Sequence, residues 1–188
     1  MNDGVFIHAQ AIVESGSIGE RTRIWAFAHV LKGAVIGRNC NICDFVFVEN
    51  DVIIGNDVTV KSGVYIWDGL RIEDKAFVGP AVIFTNDHSP RSKAYQQQIP
   101  RTFIREGASL GAGAVILPGL SIGRYAMVGA GAVVTKDVKE HELVYGNPAR
   151  HRGFVCKCSR TLDFDAEKRA VCSCGMKYRM EDDRVWQV

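Results

Sequence analysis

Asn50, Asp68 and Asn86 stand eighteen residues apart, and Glu49, Trp67 and Thr85 precede them at the same interval. A chain that repeats in space every eighteen residues stacks these side chains on one edge, each rung ~5 Å above the last. The segments ENDV, WDGL and TNDH then converge on one patch of carboxylate, carboxamide and indole groups, with His88 nearby. Carboxylates and carboxamides orient a polar substrate through hydrogen bonds. Histidine is the side-chain type that titrates near neutrality, which makes His88 a candidate base. Both observations also have plain structural readings. Asn and Asp fit tight corners, and a loop histidine fits a solvated surface. An exposed Trp67 beside them does not follow from turn chemistry.

A second set lies towards the C-terminus, where CKC and CSCG place Cys156, Cys158, Cys172 and Cys174 as two pairs with thirteen residues between them. Four thiolates around tetrahedral zinc is the natural reading, since a tail this short has little core of its own. Both pairs are C-x-C where a knuckle usually has C-x-x-C, so a metal-free tail packed on the main body is the alternative. Cys40 and Cys43 flank Ile42 and read as small packing residues.

The elements that position these groups show in a period of six. Ile12, Ile18, Ile24, Val30, Ile36, Ile42, Val48, Ile54, Val60, Ile66, Ile72, Val78 and Phe84 share one register. Ile, Val, Leu and Phe are roughly three residues in ten, so such a run arises by chance on the order of once in a million. The period resumes through Ile104, Leu110, Ile116, Ile122, Val128 and Val134. Neither helix nor ordinary strand pairing has this period. A parallel β-helix does, with one short strand and one turn per hexad and three hexads per coil. About six to seven coils are expected, with glycines at corners that need positive φ.

Between Phe84 and Ile104 the register positions hold Pro90 and Gln96, so residues 85–103 should extrude as a loop. Extruded loops on rigid scaffolds carry binding residues, though a tolerated insertion looks the same in sequence. The reading is therefore all-β: a β-helix domain over 1–138, a linking segment over 139–154 and a cysteine-rich tail over 155–188, a zinc ribbon if its four thiols bind metal, with a short hairpin around Val171 and Met176–Met180.

The chain has 188 residues and a formal charge of +2. No basic block argues for nucleic acid or anionic membrane. No apolar run is long enough to span a bilayer and no signal peptide is visible, so a cytoplasmic protein with reduced cysteines is expected.

The stretches FVENDVIIG, VYIWDGLRIEDKAFVGPAVIFTNDHSPRSK, GASLGAGAVILPGLSIGRYAMVGAGAVVTKDV and GNPAR resemble the bacterial nucleotide-sugar N-acetyltransferases of the left-handed β-helix type. The likeness covers about residues 5–150, and the FTN-x-x-x-PRS loop with the WDG corner is its most specific part. It implies acetyl transfer from acetyl-CoA, as cosubstrate, to the 3-amino group of a dTDP-linked 3-amino-3,6-dideoxyhexose or a UDP-linked 3-amino glucuronate, for surface polysaccharide synthesis. The ENDV, WDG and FTND forms look like the dTDP branch, and the cysteine tail like the UDP branch. The implied left hand breaks the usual crossover rule.

The resemblance further implies a homotrimer with sites between subunits, consistent with apolar hexad neighbours such as Trp25, Phe27 and Phe45 on the outer surface. Asn86 is then the catalytic candidate, accepting a hydrogen bond from the amine, with His88 as rival base. Glu49, Asn50, Trp67, Asp68 and Arg91 are substrate-binding candidates, and Lys136, Arg150 and Arg152 candidates for the CoA phosphates. Two other classes share the architecture. A γ-type carbonic anhydrase needs three convergent histidines at a spacing not found here. A non-catalytic scaffold leaves the Trp67–Asn86 patch and the loop without a purpose.

Overall fold

The structure, a computed structural model, describes residues 4–94 and 98–188, so residues 95–97 of the expected loop lie outside the described residues. The hexads form three parallel walls, one each in a ten-stranded, a seven-stranded and a five-stranded sheet. Arg23 pairs with Asn41, Asn41 with Thr59 and Thr59 with Phe77, one eighteen-residue repeat per rung. Most strands are two residues long, with the first side chain pointing out and the hexad aliphatic pointing in. No helix occurs among the described residues.

In the first coil Val13, which pairs with Val30, takes the inward place instead of Ile12, which is 57% exposed, so the register read from sequence begins one residue off there. From Ile24 onward most hexads bury two side chains. The aliphatic residue is one. The residue two before it is the other, and it is often small: Ala28, Ala34, Cys40, Ala76, Ala108, Ala114, Ala126 and Ala132 are all buried. The second position fills the space beside a turn, where only modest volume is available. Cys40 lies in this packing, its thiol reaching the Gly55 carbonyl at 3.1 Å, while Cys43, after Ile42, is buried outside that cluster.

The corner residues divide in a way the sequence reading did not anticipate. Positive φ recurs three residues before the aliphatic, at Phe27, Asn39, Phe45, Gly63, Gly69 and Gly113 among others. The frequent glycine that follows the aliphatic serves another purpose. A Cβ at Gly37 would lie 2.5 Å from the Gly55 carbonyl oxygen, and one at Gly111 would lie 2.4 Å from the Ala130 amide. That glycine is required by the close approach of the next coil.

The solenoid also runs further than the hexad pattern. Glu142–Tyr145 pairs in parallel with Met127–Val128, inside the segment 139–154 read as a link. The longest wall therefore carries eight parallel strands, from Phe6–Ile7 to Glu142–Tyr145, rather than six or seven coils. Arg150–Val155 then turns back antiparallel on Glu142–Tyr145, followed by Thr161–Leu162, so the presumed link is ordered strand. Beyond it Arg169–Val171, Lys177–Glu181 and Arg184–Gln187 make a small antiparallel sheet, which includes the hairpin expected there.

Ile66, fully buried in the mid-solenoid, tests the core. Ile66→Ala should lower stability by about 2–5 kcal/mol, read from the urea unfolding midpoint. An unchanged midpoint would show that this layer is not a close-packed core.

Candidate active site

Tyr65 pairs with Phe47 on one side and Ile83 on the other, so the rungs Glu49–Asn50, Trp67–Asp68 and Thr85–Asn86 do share one edge. It is the edge where the seven-stranded wall turns into the five-stranded one. The lower residues are bound into the corner. Glu49 Oε2 accepts a hydrogen bond from the Asp68 amide at 2.7 Å, Asn50 Oδ1 one from the Gly33 amide at 3.0 Å, and Asp68 Oδ1 one from the Asp51 amide at 2.6 Å. Trp67 Nε1 donates to the Phe84 carbonyl at 3.0 Å, and its half-buried ring stacks on Tyr65 at 5.9 Å. The turn use of these side chains is thus real, and it holds them rigid. The second oxygen of Asp68 remains without a hydrogen-bond donor among the described residues.

Asn86 differs. It is half-buried, yet its carboxamide makes no hydrogen bond among the described residues. Thr85 beside it donates to the Ile116 carbonyl at 3.1 Å. His88 is exposed and likewise unengaged.

The insertion resets the ladder at this edge. Ile83 pairs with Val115, so Leu117 to Gly119 form the rung above Thr85 to Asp87. The returning chain pairs Thr102–Ile104 with Leu70–Ile72 and crosses close to the WDG corner. Gly69 has φ +88°, and a Cβ there would lie 3.0 Å from both Ile99 Cγ2 and the Pro100 carbonyl oxygen. The Gly119 amide donates to Thr102 Oγ1 at 2.9 Å. His88 Nε2 and Pro100 Cβ lie 3.9 and 3.4 Å from the position a Gly119 Cβ would take. Pro100, Thr102 and Gly119 thus join the site, although the hexad register in sequence did not connect them to Asn86. Wall order was the available signal: Ile104, Leu110 and Ile116 continue the three-wall cycle that Phe84 interrupts.

Following the same wall upward, Phe84 pairs with Ile116 and Ile116 with Val134. Lys136 consequently lies two rungs above Asn86 on one edge, roughly 10 Å away. Lys136 and Arg150 line a shallow cavity of about 200 Å³ with Thr135, Ala149 and His151. Arg152 sits apart from it, over the Tyr145 ring at 4.9 Å. Arg91 is exposed and donates to its neighbour Pro90's carbonyl at 3.0 Å.

The remaining histidines have structural partners. His29 meets Glu14 at 3.0 Å, His151 meets Glu142 at 2.9 Å, and His141 is buried against the Val155 carbonyl at 2.8 Å. Among the described residues, the set that brings three or more possible metal ligands together is Cys156, Cys158, Cys172 and Cys174, with sulfurs within 4.8 Å of one another. The Cys172 thiol is drawn down to about 6, first by the Cys174 amide and then by the neighbouring thiols. The Cys158 thiol is pushed up to about 12: the Arg160 amide favours its thiolate, but the other three thiols and burial outweigh that.

Comparison with known proteins bears on this geometry. The bacterial transferase hexapeptide signature (six repeats) matches residues 15–50 and 101–136. The chain is 57% identical over 183 residues to the dTDP-3-amino-3,6-dideoxy-α-D-galactopyranose 3-N-acetyltransferase of Aneurinibacillus thermoaerophilus, spanning 97% of this chain and 95% of that protein. The UDP-N-acetylglucosamine acyltransferase LpxA of Bacteroides fragilis has the same fold, with a TM-score of 0.67 at 22% identity over 81% of this chain and 62% of its own. A hexapeptide-repeat acetyltransferase of Vibrio cholerae complexed with acetyl coenzyme A aligns with a TM-score of 0.56 at 25% identity, over 75% of this chain and 72% of its own.

The loop's return over the WDG corner gives a direct test. Gly69→Ala places a Cβ at positive φ and against Pro100, and should cost about 1–2 kcal/mol of stability in urea unfolding. Hydrogen exchange should rise locally at Ile99 to Thr102. Unaltered exchange there would mean that Gly69 does not set the loop.

Proposed function

The chain belongs to the hexapeptide-repeat bacterial transferases, and from that premise we propose that it transfers acetyl from acetyl-CoA to the 3-amino group of a dTDP-linked 3-amino-3,6-dideoxyhexose. The observation that carries this reading is the 57% identity to a sugar 3-N-acetyltransferase over nearly the full length of both chains. The unengaged Asn86 carboxamide on a rigid edge agrees with it.

The reaction needs little from the protein beyond placement. A sugar amine is in part a free nucleophile near neutrality, so a well-aimed approach to the thioester matters more than a strong base. The amine nitrogen attacks the thioester carbonyl carbon, the C–S bond breaks, and an amide forms. The proton lost by nitrogen ends on the departing CoA sulfur. In this reading Asn86 accepts a hydrogen bond from the amine and aims its lone pair. The free oxygen of Asp68 receives the ammonium or a sugar hydroxyl, while Glu49, Asn50, Trp67 and Arg91 border the nucleotide-sugar. Backbone N–H groups at the corners stabilise the oxyanion. Lys136, Arg150 and Arg152 take CoA phosphates, and the position of Lys136 above Asn86 on the same edge supports a cosubstrate lying along that edge.

The protein would act as a homotrimer, because a convex edge offers CoA a groove only when a neighbour supplies the second wall. Phe27 and Phe45, stacked at 4.9 Å and about half exposed, with Tyr65 and Ile83 on the seven-stranded wall, offer the apolar surface for it. A cytoplasmic location follows from the acetyl-CoA requirement, and no helix among the described residues is long and apolar enough to cross a membrane. The product would serve surface polysaccharide synthesis.

A thiol-release assay with acetyl-CoA should respond to dTDP-3-amino-3,6-dideoxyhexoses, and a response confined to UDP-3-amino glucuronate would overturn the dTDP assignment. Asn86→Ala should lower the rate by ~10²-fold or more, since a misplaced nucleophile is costly. His88→Ala should cost little and leave the pH–rate profile to the substrate amine. A loss of ~10²-fold or more at His88, with a titration step removed from the profile, would make His88 the base. Sedimentation should give a trimer, and a stable monomer at micromolar concentration would remove the shared site.

A further inference from the structure

We propose that Cys156, Cys158, Cys172 and Cys174 form a tetrathiolate site for one structural zinc ion, which closes the C-terminal tail and fixes it on the last coil of the solenoid. The inference is independent of the acetyl-transfer reading, because the cluster lies in the tail and not on the Asn86 edge.

The sulfur positions come first. All four lie within 4.8 Å of one another, with 3.5 Å between Cys156 and Cys174 and 3.5 Å between Cys158 and Cys172. A tetrahedral zinc with Zn–S bonds near 2.3 Å separates its sulfurs by about 3.8 Å, so small side-chain shifts suffice.

The two turns that carry the pairs are built alike. In the first, the Ser159 amide donates to the Cys156 carbonyl at 2.8 Å and the Cys156 amide to the Arg160 carbonyl at 2.8 Å. In the second, the Gly175 amide donates to the Cys172 carbonyl at 2.8 Å and the Cys172 amide to the Met176 carbonyl at 2.9 Å. Ser159 and Gly175, at equivalent places, both adopt positive φ, 74° and 92°. The same turn, made twice in different sequence, directs four sulfurs at one point. This also answers the difficulty of C-x-C spacing, because the short contacts run between the turns rather than within either pair.

The tail needs such a staple. Its buried core is Phe154, Cys156, Leu162, Ala170, Cys172, Tyr178 and Val185, and two of these are the cysteines themselves. A core this small does not usually hold a fold without a metal or a disulfide. The cluster is also tied to the solenoid. The Tyr178 hydroxyl lies 3.2 Å from Cys156 Sγ and accepts the Lys157 amide at 3.0 Å. The Tyr178 ring meets His141 edge-on at 5.2 Å, and His141 stacks on Tyr125 of the last coils at 5.4 Å. On binding, the four thiols release their protons to solvent.

The test uses the full chain, purified without chelator from zinc-supplemented medium. Elemental analysis should give about one zinc per chain, released stoichiometrically by an organomercurial. Cobalt(II) exchanged into the protein should show the visible absorption of a tetrahedral thiolate site. Cys158→Ser and Cys174→Ser should each lose the metal, whereas Cys43→Ser, in the solenoid core, should retain it. Should those variants fold poorly, hydrogen exchange on the native chain gives a second reading. Metal removal should deprotect Ala170 and Tyr178 and leave Ile66 unchanged. A metal-free protein lacking four hydrogens by mass would overturn the proposal in favour of two disulfides. Four free thiols in an ordered tail, bound iron, or exchange indifferent to metal removal would overturn it equally.

Discussion

Backbone hydrogen bonds between successive coils fix the geometry on which everything else here is built. The Arg23 amide donates to the Cys40 carbonyl at 2.8 Å, the Asn41 amide to Val58 at 2.9 Å, and the Ser109 amide to Ala126 at 2.9 Å, coil after coil along one wall. Coils bonded this way sit one strand spacing apart, near 4.8 Å. At that spacing a Cβ on Gly37 or Gly111 would collide with the coil above, so glycine there follows from stacking rather than from turn conformation. Within the coils one inward position of a hexad is mostly Ile or Val, with Phe84 and Leu110 as exceptions, and the other is often alanine.

That stacking is also how a solenoid makes a rigid site from residues far apart in sequence. Glu49, Asn50 and Asp68 each give one polar atom to a backbone amide of a neighbouring coil. Such a bond contributes about 1.5–3 kcal/mol at the Glu49 and Asp68 carboxylates and about 0.5–1.5 kcal/mol at the neutral Asn50, so these side chains are held before any ligand arrives. Preorganisation of this kind is what positioning catalysis requires. It also means that replacing Glu49 or Asp68 would disturb the corner as well as the substrate contacts. Asn86 is the cleaner probe, because its carboxamide serves no coil contact among the described residues.

The periodicity made the shared edge of Asn50, Asp68 and Asn86 legible from sequence, because an eighteen-residue repeat allows only one stacking order. Three things escaped it for physical reasons. The alanine positions carry little hydrophobic signal, so the second inward residue of each hexad stayed hidden. The loop breaks the eighteen-residue count, so Gly119 and Lys136 align with Asn86 only through the wall order that resumes at Ile104 and pairs Phe84 with Ile116. The strand Glu142–Tyr145 lacks a hexad aliphatic run of its own, and its register is imposed by Met127–Val128 beneath it. The cysteine turns show the opposite balance. Residue type pointed to a metal while spacing spoke against one, and the backbone conformation at Ser159 and Gly175 brings the four sulfurs within 4.8 Å of one another despite that spacing.

A parallel solenoid has two open ends, and each presents unpaired backbone groups that invite further strands. The C-terminal end is closed by reversal. Arg150–Val155 pairs antiparallel with Glu142–Tyr145, with an irregularity between Leu143 and Val144, and an antiparallel strand cannot be extended by another hexad coil. The small sheet beyond it sets its Tyr178 edge-on against His141 at 5.2 Å, so the tail packs on the last coils. The other end is different: Phe6 and Ile7 of the first strand remain 43% and 47% exposed, with Phe6 leaning on Trp25 at 5.4 Å. The tail meets the solenoid at His141, which stacks on Tyr125, in the last coils that also carry the Lys136 rung two steps above Asn86.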